Sequence, residues 1–387
     1  MKKVITGALT WLTALAILAA PAGAIFPMAT AIDETKISVH NFNMGFVVND
    51  IFARANSGWN FTLGPGADVG TGNASVAATV GTTMNTNLTG IAVSDHEWGP
   101  FAVNIGPGGL AIAWDKTSIR VCNVNFGLVF NDLDLLANTG HNFTWGSSVA
   151  TGNASVRATV ETTMNTNTTG ISMAESGVGP VAANLGPGFA VAVEEDRISV
   201  HNFNMGFVVN DIFARANSGW NFTIGSGADV GTGNASVSTT VANTVNTNTT
   251  SVVKTDAGIG PVAANVSLGC IGEAAAASCG GAGVGPVAVN IGAPGIVMAV
   301  EKDSVEVGNV NNAVIINNET LLANTGNNVT NGCAGDPCQT PCAGTENNCP
   351  GPSPTPAPTT VDTGNASVTT SVSNTVNTNT TTIVVSE

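Results

Sequence analysis

The chain has 387 residues, 43% of them hydrophobic and only 10% charged, with no tyrosine and a net charge of −15. Charged residues fall far below the roughly 25% of ordinary soluble domains, so Asn, Thr, Gly and Ala must occupy surface positions. With 11 basic against 26 acidic residues, the chain has no basic patch to neutralise phosphates, which excludes ordinary electrostatic binding of nucleic acid.

Lys2 and Lys3 precede an apolar run from Val4 to Ala20, and Ala22 and Ala24 follow as small residues. This pattern reads as a signal peptide over residues 1–24, with the mature chain starting near Ile25. The run is at the short limit for a membrane span. The expectation is a secreted, extracellular protein at the cell surface, with no membrane segment in its mature form.

The first repeated element runs from Ile37 to Thr62 and recurs unchanged at Ile198–Thr223, with looser versions from Ile119 and Val305. Its residues alternate. Ile37, Val39, Asn41, Asn43, Val47, Asn49 and Ile51 share one parity; Phe42, Met44, Phe46, Val48 and Phe52 share the other. A period of two predicts a strand, and apolar residues on both parities predict one covered on both faces. The recurring asparagines suggest amide ladders between equivalent strands.

The second element, Thr71–Ile91, returns at Thr151–Ile171, Thr232–Val252 and Thr363–Ile383. Ala74, Val76, Ala78, Val80 and Met84 form an apolar face; Asn73, Ser75, Thr79, Thr83, Asn85, Asn87 and Thr89 form an Asn/Thr face. The third element, Gly99–Trp114 and Gly179–Val193, places two short apolar runs around Gly-Pro-Gly, a hairpin signal.

These elements define four modules after the signal peptide: 25–116, 117–196, 197–302 and 303–387. Self-similarity at this period is the mark of a repeat architecture. The expected fold class is all-β: repetitive β-arch or β-solenoid-like stacked sheets built from four internal repeats, with Cys-rich loop insertions. One insertion, in the third module, carries Cys270 and Cys279 and duplicates the Gly-Pro-Val-Ala-x-Asn segment at residues 260–265 and 285–290. The other, 332–360, carries Cys333, Cys338, Cys342 and Cys349 and a proline-rich run. In an exported chain these six are disulfide candidates. They lack a Cys-x-x-Cys pair or a nearby His, so zinc is not expected. Cys122 is left over, as a buried thiol or as half of an intermolecular bridge.

Four histidines, His40, His96, His141 and His201, form no nucleophile–base arrangement, and no Gly-rich loop opens a helix. No catalytic residue, cofactor or dedicated metal ligand is expected, and the protein is not expected to be an enzyme. A polysaccharide hydrolase would need a repeat position rich in Asp or Glu, which the repeat frame does not reveal. Asp95-His96-Glu97 and Glu194-Glu195-Asp196 read as solvated turns rather than calcium loops. Fourteen Asn-x-Ser/Thr sequons are candidate N-glycosylation sites: Asn60, Asn73, Asn87, Asn142, Asn153, Asn167, Asn221, Asn234, Asn248, Asn265, Asn318, Asn328, Asn365 and Asn379. An Asn/Thr-rich ladder also generates sequons by composition alone, and glycans on Asn73 or Asn87 would obstruct close stacking.

The export signal, acidic tyrosine-free composition, Asn/Thr-rich β repeats and Cys-bearing insertions together resemble the sheath proteins of methanogenic archaea, over roughly residues 30–387. The Asn-Thr-Asn repeats are also similar to those of bacterial surface β-solenoid proteins. The sheath resemblance implies β-arch subunits joined edge to edge into amyloid-like hoops, stacked into a tube around the cells. It implies no catalytic residues. The expected function is therefore a structural subunit of an extracellular sheath or surface layer. Its expected partner is itself, as a homopolymer, with divalent cations or other envelope components as further candidates. The alternative is a monomeric β-solenoid adhesin that binds glycans or a host surface, with Trp59, Trp98, Trp145 and Trp220 stacking on sugars.

Overall fold

The computed structural model describes residues 28–266, 286–331 and 359–386, apart from 65, 96–98, 106–107, 147, 226 and 292–294. The expected signal peptide, His96, Trp98 and the six insertion cysteines lie outside the described residues.

Every described element is a strand. The first layer holds β1 (Met28–Asn56), β2 (Phe61–Leu63), β3 (Asp68–Gly70), β4 (Ala74–Asp95) and β5 (Phe101–Ile105). The second repeats it as β6 (Gly109–Asn138), β7 (Phe143–Trp145), β8 (Ser148–Ala150), β9 (Ala154–Glu175) and β10 (Val181–Leu185). The third holds β11 (Gly188–Asn217), β12 (Phe222–Ile224), β13 (Asp229–Gly231), β14 (Ala235–Asp256) and β15 (Val262–Val266). The fourth holds β16 (Val287–Ile291), β17 (Gly295–Asn324), β18 (Val329–Asn331), β19 (Thr360–Asp362), β20 (Ala366–Val376) and β21 (Asn379–Ser386). The fold is thus all-β and repetitive, as its periodicity predicts.

All strand pairings are parallel and join equivalent strands of successive layers, so β1, β6, β11 and β17 make one sheet and β4, β9, β14 and β20 the facing one. The two long strands of a layer face each other through side chains. Each layer is therefore a flattened arch whose tip is the β2–β3 region or its equivalents. This corrects the expected hairpin: β5 pairs with β10, not with β6. A Gly-Pro-Gly turn reverses an arch as readily as a hairpin, but parallel stacking sets identical side chains over one another and satisfies the backbone between layers.

The duplicated insertion segment has a structural use. β16 precedes β17 in sequence but pairs with β15, so it completes the short-strand column of the fourth layer from upstream. The layers also differ in phase from the sequence modules, since β6 and β11 run unbroken through residues 116/117 and 196/197.

The core lies between the two arms. Leu133, Leu135 and Ala137 pack on Ala154, Val156, Ala158 and Val160 near the tip. Val129 meets Met164; Ile119 and Val121 meet Ile171 and Met173. Small residues close the base, where Ala111 and Ala113 meet Ala182. Gly127 belongs to this design, because a Cβ there would press within 3.0 Å of Met164 Sδ.

Two sequence expectations change here. The 22-residue strand does not keep one parity. Asn85, Asn165, Asn246 and Asn377 have φ of 53°, 54°, 59° and 54°, a left-handed conformation that asparagine tolerates better than most side chains. The extra residue flips the alternation, so Asn167, Thr169 and Ile171 turn inward after Met164, and Asn87 and Thr89 do not share the outer face of Ser75 and Thr79. Nor is the long strand covered on both sides: Phe42, Met44, Phe46, Val48 and Phe52 are exposed. Phe42, Phe126 and Phe203 form a ladder along this outer face, as do Phe46, Phe130 and Phe207.

Candidate assembly interface

A stack of parallel layers leaves two open ends. β1 and β4 have a neighbour on one side only, and so do β17, β20 and β21 at the other end. β1 is 29 residues long, roughly 95 Å of edge at about 3.3 Å per residue. Proteins that must not polymerise block such edges with Lys, Pro or bulges. β1 contains no proline and only Lys36 and Arg54 as cations.

The polar interior gives the ends a direction. Asn43, Asn125, Asn204 and Asn311 occupy one position of the long strands; Asn87, Asn167, Asn248 and Asn379 face them from the other arm. Asn125 Nδ2 donates to Asn167 Oδ1 (2.9 Å) in its own layer and to Asn204 Oδ1 (2.8 Å) in the next. Asn167 Nδ2 then donates to Asn204 (3.0 Å) and Asn248 (2.7 Å). The rule holds from Asn43 to Asn379, so each inner amide gives two hydrogen bonds and accepts two. That is full use of both hydrogens and both lone pairs.

The network ends incompletely. Among the described residues, Asn43 Oδ1 lacks both of its donors and Asn87 Oδ1 lacks one, while Asn311 has one amide hydrogen unused and Asn379 two. Three acceptor sites at one end thus match three donors at the other. The single-file ladders Asn41–Asn123–Asn202–Asn309 and Asn49–Asn131–Asn210–Asn317 run in the same direction.

Glycines repeat the theme. A Cβ on Gly58, Gly140 or Gly219 would collide with the carbonyl oxygen of the glycine one layer on: Gly140, Gly219 and Gly326 in turn. Gly326 closes that column, where, among the described residues, only Asn324 Oδ1, at 3.9 Å, comes near its Cβ position. In a second column Gly152, Gly233 and Gly364 crowd the layer before them, and Gly72, the first member, has open space. Each end keeps a glycine that only a further layer would require.

The fourteen sequons divide by position. Asn142, Asn167, Asn221, Asn248 and Asn265 are buried, and all five use Nδ2, the atom a glycan would take, as a donor. Asn87 and Asn328 are half-buried in the same ladders, and Asn60 and Asn379 stand at their exposed ends. Asn73, Asn153, Asn234 and Asn365 are exposed; the side-chain oxygens of the first three accept the backbone N–H of the next layer. Asn318 is exposed and donates to Asp211.

Cys122 is half-buried with a free thiol, in register with His40 and His201, which corrects the buried-thiol alternative and leaves the intermolecular bridge as the remaining one. Trp59, Trp145 and Trp220 are 68%, 51% and 50% exposed. His141 lies between Trp59 and Trp220, its ring centroid 4.5 and 5.9 Å from theirs; burial and then Arg215 lower its pKa. Trp59, His141 and Trp220 all have φ near 60° (63°, 61° and 63°), an uncommon state for bulky residues.

Glu194 and Asp196 were expected in a solvated turn. They lie mid-strand in β11 and are 8% and 4% exposed. Sequence reasoning missed them as a site, although their alternation with Glu195 places them on one parity. No protein-family model, no curated protein and no solved structure matches the chain.

Proposed function

We propose that this chain is a structural subunit that polymerises head to tail, the fourth layer of one copy adding to the first layer of the next by parallel β pairing. The amide network carries the reading. Its unused donors at Asn311 and Asn379 match the unused acceptors at Asn43 and Asn87 in number and polarity. A heterologous contact of this kind does not close on itself unless the rotation closes a ring. Backbone pairing along a long edge supplies affinity, and the ladders supply register. Together with the sequence's export signal and its resemblance to archaeal sheath proteins, this supports an extracellular sheath or surface layer, amyloid-like in its strand stacking and made of a homopolymer without catalytic function.

Fibre diffraction of the polymer tests the reading. Four layers at about 4.8 Å predict a strand reflection on the stacking axis and a subunit repeat of roughly 19 Å. A polymer without the longer repeat, or a protein that stays monomeric at high concentration, contradicts it. The exposed Trp59–His141–Trp220 stack favours a second reading, a glycan-binding adhesin. Saturable carbohydrate binding by the monomer, lost on Trp59→Ala, would select that one.

A further inference from the structure

Between the end of β9 and the start of β10 the arms part around a cavity of about 240 Å³, whose lining includes Asp115, Glu175, Glu194, Asp196 and Asp256. In-register stacking produces this concentration of charge. Asp33, Asp115, Glu194 and Glu301 share one position of the long strands, an acidic repeat position that corrects the expectation of none, while Asp196 and Asp303 share another and Glu175 pairs with Asp256 on the opposite arm. Layers about 4.8 Å apart thus set carboxylates over carboxylates, an arrangement that repels.

The cluster has one buried ammonium. Lys254 Nζ lies 2.7 Å from Asp196, 2.7 Å from Asp303 and 3.7 Å from Glu175. Burial opposes its charge, yet these carboxylates outweigh burial and raise its pKa. They remain undersupplied with positive charge. Desolvation, then Asp196, pushes Glu175 up to about 10. Desolvation, then Asp196, Asp115 and Asp256, pushes Glu194 up to about 8.

Glu194 distinguishes this cluster from a patch of surface acids. Its side chain is inside the fold, the residue 8% exposed, and its Oε2 has no hydrogen-bond partner among the described residues. Gly179 leaves room for that oxygen, since a Cβ there would stand 2.7 Å from it. One carboxylate oxygen each from Glu175, Glu194 and Asp196 lies within 4.8 Å of the others, a span that ligands at 2.3–2.6 Å from a common ion can occupy. All donors are oxygen, which suits a hard cation and not zinc or copper. The volume is below the roughly 300–1,000 Å³ of small-molecule pockets.

We propose that this cluster is a calcium site, with Glu175, Glu194 and Asp196 as direct ligands and Asp115 and Asp256 adding charge around them. The ion adds positive charge to a cluster in which Lys254 pairs with Asp196 and Glu175 but not with Glu194. The three ligands come from the second and third layers of one chain, so the site stands or falls separately from polymerisation.

The test is calorimetric titration of the full-length, chelator-treated protein with calcium chloride, beside Glu194→Gln. The expected result is saturable binding by the wild type, a higher Tm in calcium than in chelator, and at least tenfold weaker binding by E194Q with unchanged β-sheet circular dichroism. If E194Q does not fold, Gly179→Ala, which crowds Oε2, is expected to weaken binding instead. Absence of saturable binding by the wild type, or a folded E194Q that binds calcium as tightly as wild type, overturns the proposal.

Discussion

Asn125 shows what one residue contributes. It is fully buried and receives amide hydrogens from Asn43 and Asn87 while giving its own to Asn167 and Asn204. Asn125→Ala leaves these partners facing a void. Buried polar groups left unpaired cost about 1–3 kcal/mol each, and neighbouring amides will re-pair in part. The expected loss is about 3 kcal/mol, measured by urea unfolding of an assembly-blocked monomer; a loss below about 1 kcal/mol would mean the ladder is not structural. The ladders were legible in the sequence because Asn recurs at equivalent repeat positions on one strand parity. The acid cluster was not. Glu194 and Asp196 look like part of a charged turn until the register sets Glu175, from a strand separate in sequence, opposite them.

At the scale of the element, the decisive feature is the left-handed asparagine inside the 22-residue strand. Asn165 Nδ2 donates to Met205 O (2.8 Å) and Asn246 Oδ1 (2.9 Å), so the side chain holds the backbone it deforms. Asn165→Gly and Asn165→Val both remove these bonds, but only valine resists φ of 54°. Valine is therefore expected to be the more destabilising by about 1–2 kcal/mol, again by urea unfolding; equal losses would show that the hydrogen bonds alone matter. The parity switch was present in the sequence, since Met84 and Ile91 are both apolar and lie an odd number of residues apart. A single alternation extended across Asn85 hid it. The arches were concealed for a different reason: Gly-Pro-Gly specifies a reversal, but whether flanking strands then pair by backbone or meet by side chain depends on the layers above and below.

At the scale of the molecule, repeat identity becomes directional structure. Four copies of one arch stack in register, and the inner amide network makes the ends differ in kind, acceptors at the first layer and donors at the fourth, although the Asn56–Asn138–Asn217–Asn324 column near the tip donates in the opposite direction. The all-β repeat class followed from periodicity and internal duplication. The polarity of the ends did not, because hydrogen-bond direction is a property of assembled ladders and not of any single repeat. The outer aromatic face is a separate surface, and it offers a lateral mode of association that the stacking account must exclude.

Gly326 and Gly72 allow that separation. No described atom crowds a Cβ at either position within the subunit, while their equivalents inside the stack, Gly140 and Gly152, would collide with backbone. The measurement is negative-stain electron microscopy with sedimentation of Gly326→Val, Gly72→Val, their double variant and wild type. The account predicts that both single variants fold with wild-type β content, that each caps growth at one end and shortens wild-type polymers when mixed in, and that the double variant stays monomeric. Polymers of normal length from the double variant would contradict head-to-tail stacking and move the interface to the aromatic face.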